Sequence, residues 1–456
     1  MKFKEDSQEI QFKEYKEELN NTLLLDFLGS QACNELITEH CWDRHQKNLY
    51  NPTTTLVQFI QQTLSADKSC KNVVSHMIAK EVCVHGHSIG NGNGAYVKAR
   101  QKLPPSLLLD LLRQTGRACL GEVPEQWQSF GRPLKGFDGT TLTMQDSPDN
   151  RHHFPKHSNQ TQNIGLPLAR LVVMMSLDTG TIIDYAVGPC KGKGTGESSL
   201  LRSLLGHLEP NDIAVADRYY PHFFLLCDIK NRGTDGVFRA AVQRHYDFRQ
   251  GKRLGSYDHI VEWSKPRKPD WMTREEYLAY PDTIQMREFK EYGLIYVTTL
   301  LDPKFYPKAQ LIELYKRRWT LETNLNYIKT VMKMNHLTSY TAEMVKKEIS
   351  AHFIAYNLVR NLMVKAAIKH QLKATQVSFK GAIQLLNQFS PFINDSSPQR
   401  KAVLIDRLFF HISKNEIANR LGRCEPRAIK KRPKTYPFLK TDRRSFHPPN
   451  KLLMVC

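Results

Sequence analysis

The order of apolar runs between residues 134 and 230 limits the fold of this chain more than any other feature of its sequence. Runs of β-branched and apolar residues alternate there with runs of helical composition, and Asp178-Thr179-Gly180 is a turn that joins two β-type runs as a hairpin. The pattern predicts strands at 134–144, 169–177, 181–187 and 213–216, with helices at 198–208 and 222–230. Strand, hairpin, helix, strand and helix in this order predict an α/β fold with a mixed sheet.

The segment before this region has the composition of short helices joined by tight turns. The helices are expected to begin near Asn20, Pro52, Ser69 and Pro105. Such a segment suits a DNA-binding module, although a helical scaffold without base contacts has the same pattern.

The segment after this region changes character three times. Residues 233–292 are rich in Arg, Gly, Pro and aromatic residues, which favours a β-rich insertion. A last apolar strand at 294–300 and long helices at 307–334 and 341–370 follow, and residues 420–444 are strongly basic. We therefore expect an N-terminal helical DNA-binding domain at 1–128 and a catalytic core in two parts, at 129–232 and 294–372. The β-rich insertion between the two parts spans 233–293. A helical, basic C-terminal region for DNA binding and dimerisation spans 373–456.

The charge balance indicates a polyanionic partner. Lys and Arg number 65 against 45 Asp and Glu among 456 residues, a formal charge of +20, and nucleic acid is the commonest such partner. The first residues lack a signal-peptide run, and the longest apolar stretch, 166–177, contains Arg170. Nine scattered Cys without a CxxC pair fit a reducing compartment. We expect a cytoplasmic, nucleoid-associated prokaryotic protein rather than a secreted or membrane-spanning one.

Four polar residues of the predicted helix 307–334 share one stripe of its surface. Tyr315, Arg318, Glu322 and Lys329 are spaced by 3, 4 and 7 residues. Taken alone, the stripe is also explained by a solvated face with an Arg318–Glu322 pair.

Two further carboxylates stand in predicted strands. Asp138 is followed by Gly, and Asp217 ends a short apolar strand, where an acid is costly unless it is paired or binds a metal. With Glu322 they could hold two Mg²⁺ ions, which activate water or a DNA 3′-hydroxyl for attack on phosphorus. Arg318 and Lys329 would then hold the phosphates.

The sequence resembles the DDE transposases of the insertion-sequence-4 type. Their Y-x2-R-x3-E-x6-K motif is matched in full by Tyr315, Arg318, Glu322 and Lys329. Similar segments follow one another along nearly the whole chain: Leu64–Asp67, Ala95–Gln101, Asp138–Thr140 with Pro148, Asn150 and Phe154-Pro155, Gly192–Glu197, Ala216–Tyr219 and Gly422–Arg427. One departure is Arg151, which follows Asn150 where Gln is expected.

The resemblance implies a ribonuclease-H-like core and cut-and-paste transposition. Asp138, Asp217 and Glu322 would be the catalytic, metal-binding residues, with Mg²⁺ as cofactor and Mn²⁺ able to substitute. The protein would bind double-stranded DNA at the terminal inverted repeats of its own element, cleave the ends through a hairpin and join them to target DNA as a synaptic homodimer. The expected DNA contacts are Tyr315, Arg318, Lys329, Arg427, Lys430, Lys431 and Arg432.

A hairpin intermediate bends the DNA sharply, and a flipped base that relieves the bend needs an aromatic face to stack on. We expect Trp263 or Trp271 of the insertion to supply it, with packing of the insertion as the alternative role. Trp319 is expected to pack into the core.

Two other functions remain open: a metal-dependent nuclease without strand transfer, and a domesticated DNA-binding regulator. Three motifs are discounted. Gly192–Gly196 lacks the spacing of a P-loop, and Cys83, His85 and His87 lack a second pair of zinc ligands. His152-His153 is expected in a polar loop or at a DNA contact rather than at a metal.

Overall fold

The computed structural model describes residues 31–41, 48–156, 165–192, 194–241, 244–394 and 396–417. Five helices lead into the sheet: α1 (Gln31–Cys41), α2 (Pro52–Leu64), α3 (Cys70–His85), α4 (Gly94–Lys102) and α5 (Pro105–Arg117). Three of the predicted helix starts lie within the described residues, and all three are confirmed. Asn51 and Ser69 cap α2 and α3, and Pro105 is the first residue of α5. The helix expected from Asn20 lies outside the described residues.

Ten strands of the described residues form one sheet in the order β3-β2-β1-β4-β5-β9-β8-β7-β6, and β10 pairs with β1. Their bounds are β1 (Leu134–Met144), β2 (Leu168–Ser176), β3 (Ile182–Pro189), β4 (Ile213–Ala216), β5 (Asp235–Arg239), β6 (Lys252–Gly255), β7 (Asp258–Ser264), β8 (Thr283–Glu291), β9 (Leu294–Thr298) and β10 (His336–Leu337). β1, β2 and β3 are antiparallel neighbours, whereas β4 and β5 run parallel to β1. This confirms the mixed α/β fold, and 3-2-1-4-5 is the strand order of a ribonuclease-H-like core.

Helices cover both faces of this core. They are α6 (Pro148–His153), α7 (Glu197–Leu204), α8 (Phe223–Asn231), α10 (Lys308–Lys316), α11 (Trp319–Thr330) and α12 (Ala342–Lys369), followed by α13 (Phe379–Asn394) and α14 (Pro398–Lys414). The 28-residue α12 is largely buried, and its Arg360 donates through Nε and Nη2 to the Thr179 carbonyl at the β2–β3 turn. That turn needs Gly180, which has φ +75° and lies against the Arg360 guanidinium. No helix in the described part of the chain combines the length and apolarity needed to cross a bilayer.

The outer strands continue the same sheet. β5 lies within the range expected for the insertion, yet it pairs in parallel with β4 and antiparallel with β9. Strands β6, β7 and β8 extend the sheet beyond β9. The region also contains a short helix, α9 (Arg274–Ala279), which the β-rich prediction missed; a capping box between Thr273 and Glu276 starts it.

The single helix expected at 307–334 is instead two helices, α10 and α11. At the junction the backbone bonds tighten to i→i−3, with the amides of Arg317 and Arg318 donating to the carbonyls of Leu314 and Tyr315. The Arg317 side chain anchors the junction by donating to Asp178 and to the carbonyls of Trp127 and Leu177. These distant contacts are not visible in a local pattern, which is why the break was not predicted.

Candidate active site

Asp138 and Asp217 lie side by side where β4 ends. The register pairs Phe137 of β1 with Ala216, the last residue of β4, so Asp138 and Asp217 are the next residue on each strand. Each carboxylate accepts a backbone N–H from the residue after it, Gly139 at 2.9 Å and Arg218 at 2.5 Å. These bonds leave a carboxylate oxygen of each aspartate for another partner.

Helix α11 presents Glu322 to the same region. The Arg318 guanidinium donates to Glu322 Oε1 across 2.8 Å and lies 5.9 Å from the ring centre of Tyr315. Seven residues further along, Lys329 Nζ donates to Thr140 Oγ1 at 2.7 Å, which ties α11 to β1 two residues beyond Asp138. The Tyr315, Arg318, Glu322 and Lys329 stripe therefore faces the strand that carries the first aspartate rather than open solvent.

The three carboxylates share one electrostatic environment. Burial, together with the negative charges of Glu322 and Asp217, raises the pKa of Asp138 to about 6, although the Gly139 amide and Arg318 act in the opposite direction. Burial also raises the pKa of Tyr315 to about 12 and lowers the pKa of Lys329. A cation stabilises the charged form of a carboxyl group, so a cation bound beside Asp138 would lower its raised pKa.

The donor set has the chemistry of a site for a hard divalent cation. Mg²⁺ and Mn²⁺ prefer carboxylate oxygens, and Asp138, Asp217 and Glu322 supply them. Within the described ranges, however, no three His, Cys, Asp or Glu side chains already stand at metal-binding spacing. Glu322 is engaged with Arg318, so the carboxylates are gathered but not arranged around an ion.

The tryptophans are placed differently from one another. Trp263 is 2% exposed and donates its indole N–H to Glu288 Oε1 at 2.7 Å. The Arg244 guanidinium lies 3.8 Å from its ring centre, so Trp263 has the alternative role, packing within the insertion. Trp271 is 55% exposed, with Arg202 at 4.1 Å from its ring centre. The expectation that Trp319 packs into the core was wrong, because it is 56% exposed. The tighter winding at the α10–α11 junction changes its direction relative to Arg318.

The remaining predicted residues divide into three groups. Arg427, Lys430, Lys431 and Arg432 lie outside the described residues. His152 and His153 lie on α6 rather than in a loop. The departure at Arg151 is accommodated by an ion pair with Asp146 at 3.6 Å, while the preceding Asn150 amide donates to the carbonyls of Gln145 and Ser339.

Two residues beside the acids had no predicted role. Glu197 begins α7, and Tyr220 follows Asp217 by three residues; the Tyr220 hydroxyl donates to Glu197 Oε2 at 3.3 Å. The sequence contained two signals for this neighbourhood. The family-like segment Gly192–Glu197 ends at Glu197, and a glycine directly follows Asp138, which in a strand often marks a close approach by another group.

Comparisons with known proteins identify a family and two similar proteins. The model of the family described as "Transposase DDE domain" matches residues 131–358, half of the chain. The chain is 25% identical over 351 residues to "Transposase InsG for insertion sequence element IS4" of Escherichia coli K12, covering 75% of this chain and 77% of that protein. A cryo-EM structure titled as the piggyBac transposase synaptic complex with hairpin DNA overlaps 90% of this chain and 88% of its own, with a TM-score of 0.43 and 9% identity.

Proposed function

This chain belongs to the DDE transposase family, and from that premise we propose that it cleaves the DNA ends of its own insertion sequence and joins them to target DNA. The observation that carries the proposal is the meeting of Asp138, Asp217 and Glu322, contributed by two strand ends and a helix, with Arg318 among them. A carboxylate cluster with an arginine beside it suits phosphoryl transfer, in which a divalent cation and a guanidinium both face phosphate oxygens.

Each side chain has a distinct part in this proposal. Asp138, Asp217 and Glu322 would hold Mg²⁺, or Mn²⁺ in its place; when bound, the ions activate the attacking hydroxyl and stabilise the leaving oxygen. Arg318 is half-buried and would orient the phosphate next to the cut. Lys329 would contact the phosphate backbone from its position over Thr140, and Tyr315 would line the same surface.

The DNA partner follows from charge and from the relatives. A formal charge of +20 supports binding of a duplex backbone, and the bacterial relative is named for an insertion sequence. We propose recognition of the terminal inverted repeats, a hairpin intermediate and a synaptic homodimer, acting on DNA in the cytoplasm. Trp271, exposed and stacked on by Arg202, is the better candidate of the two insertion tryptophans for a flipped base.

The test is an end-cleavage reaction with the purified full chain. Labelled DNA from the two flanks of its own gene is incubated with a supercoiled target plasmid in Mg²⁺, in Mn²⁺ and in a chelator, with Asp217→Asn as the inactive control. Nicks, hairpins and plasmid-joined ends that require the metal would support the proposal. Cleavage without joining would identify a nuclease, and binding without cleavage would identify a regulator.

A further inference from the structure

A fourth carboxylate, Glu197, approaches β1 beside Asp138. A Cβ atom built on Gly139 would lie 2.5 Å from Glu197 Cδ and 2.8 Å from each of its carboxylate oxygens. The carboxylate therefore rests against the backbone of the residue that follows Asp138, and only glycine leaves room for it there. Consecutive Cα atoms are about 3.8 Å apart, so this contact places the Glu197 carboxylate beside the backbone at Asp138.

Tyr220 links Glu197 to the second aspartate. The tyrosine is 1% exposed, its hydroxyl donates to Glu197 Oε2 at 3.3 Å, and its backbone N–H donates to the Asp217 carbonyl at 3.1 Å. Burial raises the pKa of Tyr220, and the negative charges of Glu197, Asp138 and Asp217 raise it further. The tyrosine hydroxyl thus contacts the Glu197 carboxylate, while the tyrosine backbone contacts Asp217.

Glu197 and Asp138 approach β1 from opposite faces, because side chains alternate along a strand. The neighbours of Asp138 on its own face contact α11: a Cβ on Gly136 would meet Leu321, and Thr140 accepts from Lys329. The two faces of the sheet meet at an uncovered edge of β1. β4 pairs with β1 only as far as Phe137 and β10 pairs only at Thr143 and Met144, so within the described strands none covers this edge at residues 138–142.

No basic side chain of the described residues forms an ion pair with Glu197, whereas Glu322 is paired with Arg318. A carboxylate that rests against Gly139 without such a cation adds negative potential beside Asp138 and suits a bound divalent cation. We propose that Glu197 supplies a fourth carboxylate to the divalent-cation site of Asp138 and Asp217, with the Tyr220 hydroxyl as its positioning group. This inference rests on the proposed function.

The test measures Mn²⁺ binding to the full chain by titration calorimetry and by electron paramagnetic resonance, without DNA. Glu197→Gln should weaken Mn²⁺ binding by about 10- to 100-fold. Gly139→Ala leaves every acid in place but displaces the Glu197 carboxylate, and it should weaken binding in the same direction. The matched control is Glu275→Gln, an exposed glutamate in the first turn of α9, which should bind Mn²⁺ as the wild type does.

The outcomes separate this inference from the proposed function. If the wild type binds Mn²⁺ and cleaves element ends, and Glu197→Gln retains its Mn²⁺ affinity, then Glu197 is not a ligand and the transposase proposal stands. If wild type and Asp138→Asn bind Mn²⁺ equally weakly and no end is cleaved, both proposals fail. Circular dichroism and melting temperature identify a variant that has lost its fold. If either Gly139→Ala or Glu197→Gln has lost its fold, the Mn²⁺ affinity of the other variant tests the inference.

Discussion

Arg318 bridges the helix acid and the strand acids: its guanidinium donates to Glu322 across 2.8 Å, and its charge opposes the burial that raises the pKa of Asp138. One cation therefore influences the charge state of a residue on another element. Because Asp138 must be ionised to hold a metal, this relationship links Arg318 to the pH range of the proposed reaction.

Replacing Arg318 with Met should move the acidic limb of the cleavage profile to higher pH. Asp138 has a pKa of about 6 with Arg318 present, and removal of the positive charge raises that pKa. Cleavage rates measured from pH 5 to 9 check this. Lys316→Met is the control, because Lys316 is exposed and pairs with Glu313 instead. An unshifted limb with Arg318→Met would show that Asp138 does not set the profile.

The three carboxylates should be needed for cleavage but not for binding. Asp138→Asn, Asp217→Asn and Glu322→Gln should each abolish cleavage and leave end binding largely intact, because binding rests on phosphate contacts elsewhere. Gel-shift and cleavage assays on the same DNA measure the two properties. Near-wild-type cleavage by any one variant would remove that residue from the proposed ligand set.

Asp138→Asn should stabilise the protein when no divalent cation is present. The folded-state pKa of about 6 exceeds the ordinary value of 3.8, so the native state binds a proton more tightly and its stability falls as pH rises from about 4 through 6. Asparagine does not ionise, so Asp138→Asn should raise the free energy of unfolding by up to about 3 kcal/mol above pH 7. Melting in a chelator at pH 7.5 and at pH 4 measures it; the gain should vanish at the lower pH. Equal stability at pH 7.5 would contradict the raised pKa.

Replacing each of the three tryptophans with Ala should lower the stability of the protein by different amounts. Trp263→Ala should cost about 3–5 kcal/mol, because it removes a buried ring and leaves Glu288 without its indole donor. Trp271→Ala and Trp319→Ala should cost far less, since both rings are more than half exposed. If Trp271 stacks a flipped base, its variant should still nick ends while hairpin formation falls. Hairpins formed at the wild-type rate would exclude that role.

The basic C-terminal segment should contribute to salt-dependent DNA binding. Residues 420–444 contain ten Lys and Arg against two acids, and each neutralised phosphate steepens the dependence of affinity on salt. Deleting 420–456 should therefore flatten a plot of log affinity against log salt. An unchanged slope would place these residues away from the DNA.

Much of the fold followed from local pattern. The hairpin strands β2 and β3, the short β4 and the long α12 were predicted close to their bounds, because apolar periodicity and turn residues specify them locally. The break between α10 and α11 depends on Arg317 reaching Asp178 and two distant carbonyls, and the exposure of Trp319 follows from that break. Such long-range contacts leave no trace in the spacing of neighbouring residues.

The candidate site was predictable in part for the same reason. Asp138, Asp217 and the α10–α11 stripe could be found because strand ends and helical spacing are local signals. Glu197 ends the family-like segment Gly192–Glu197, but its approach to Gly139 depends on the packing of α7 against β2 and β3 and on the open edge beyond β4. An isolated glutamate at a helix start is indistinguishable from one that merely favours the helix dipole.

The unbroken sheet from β4 to β6 has a consequence for the length of DNA protected around the cut. Five strand steps of about 4.8 Å place β6, with its exposed Lys252 and Arg253, about 24 Å from the end of β4, where Asp217 lies. At 3.4 Å per base pair this is about seven base pairs of duplex. Hydrogen-bonded strands hold that distance constant, so a duplex lying along the sheet would show a nuclease footprint whose far boundary keeps a fixed offset from the nick.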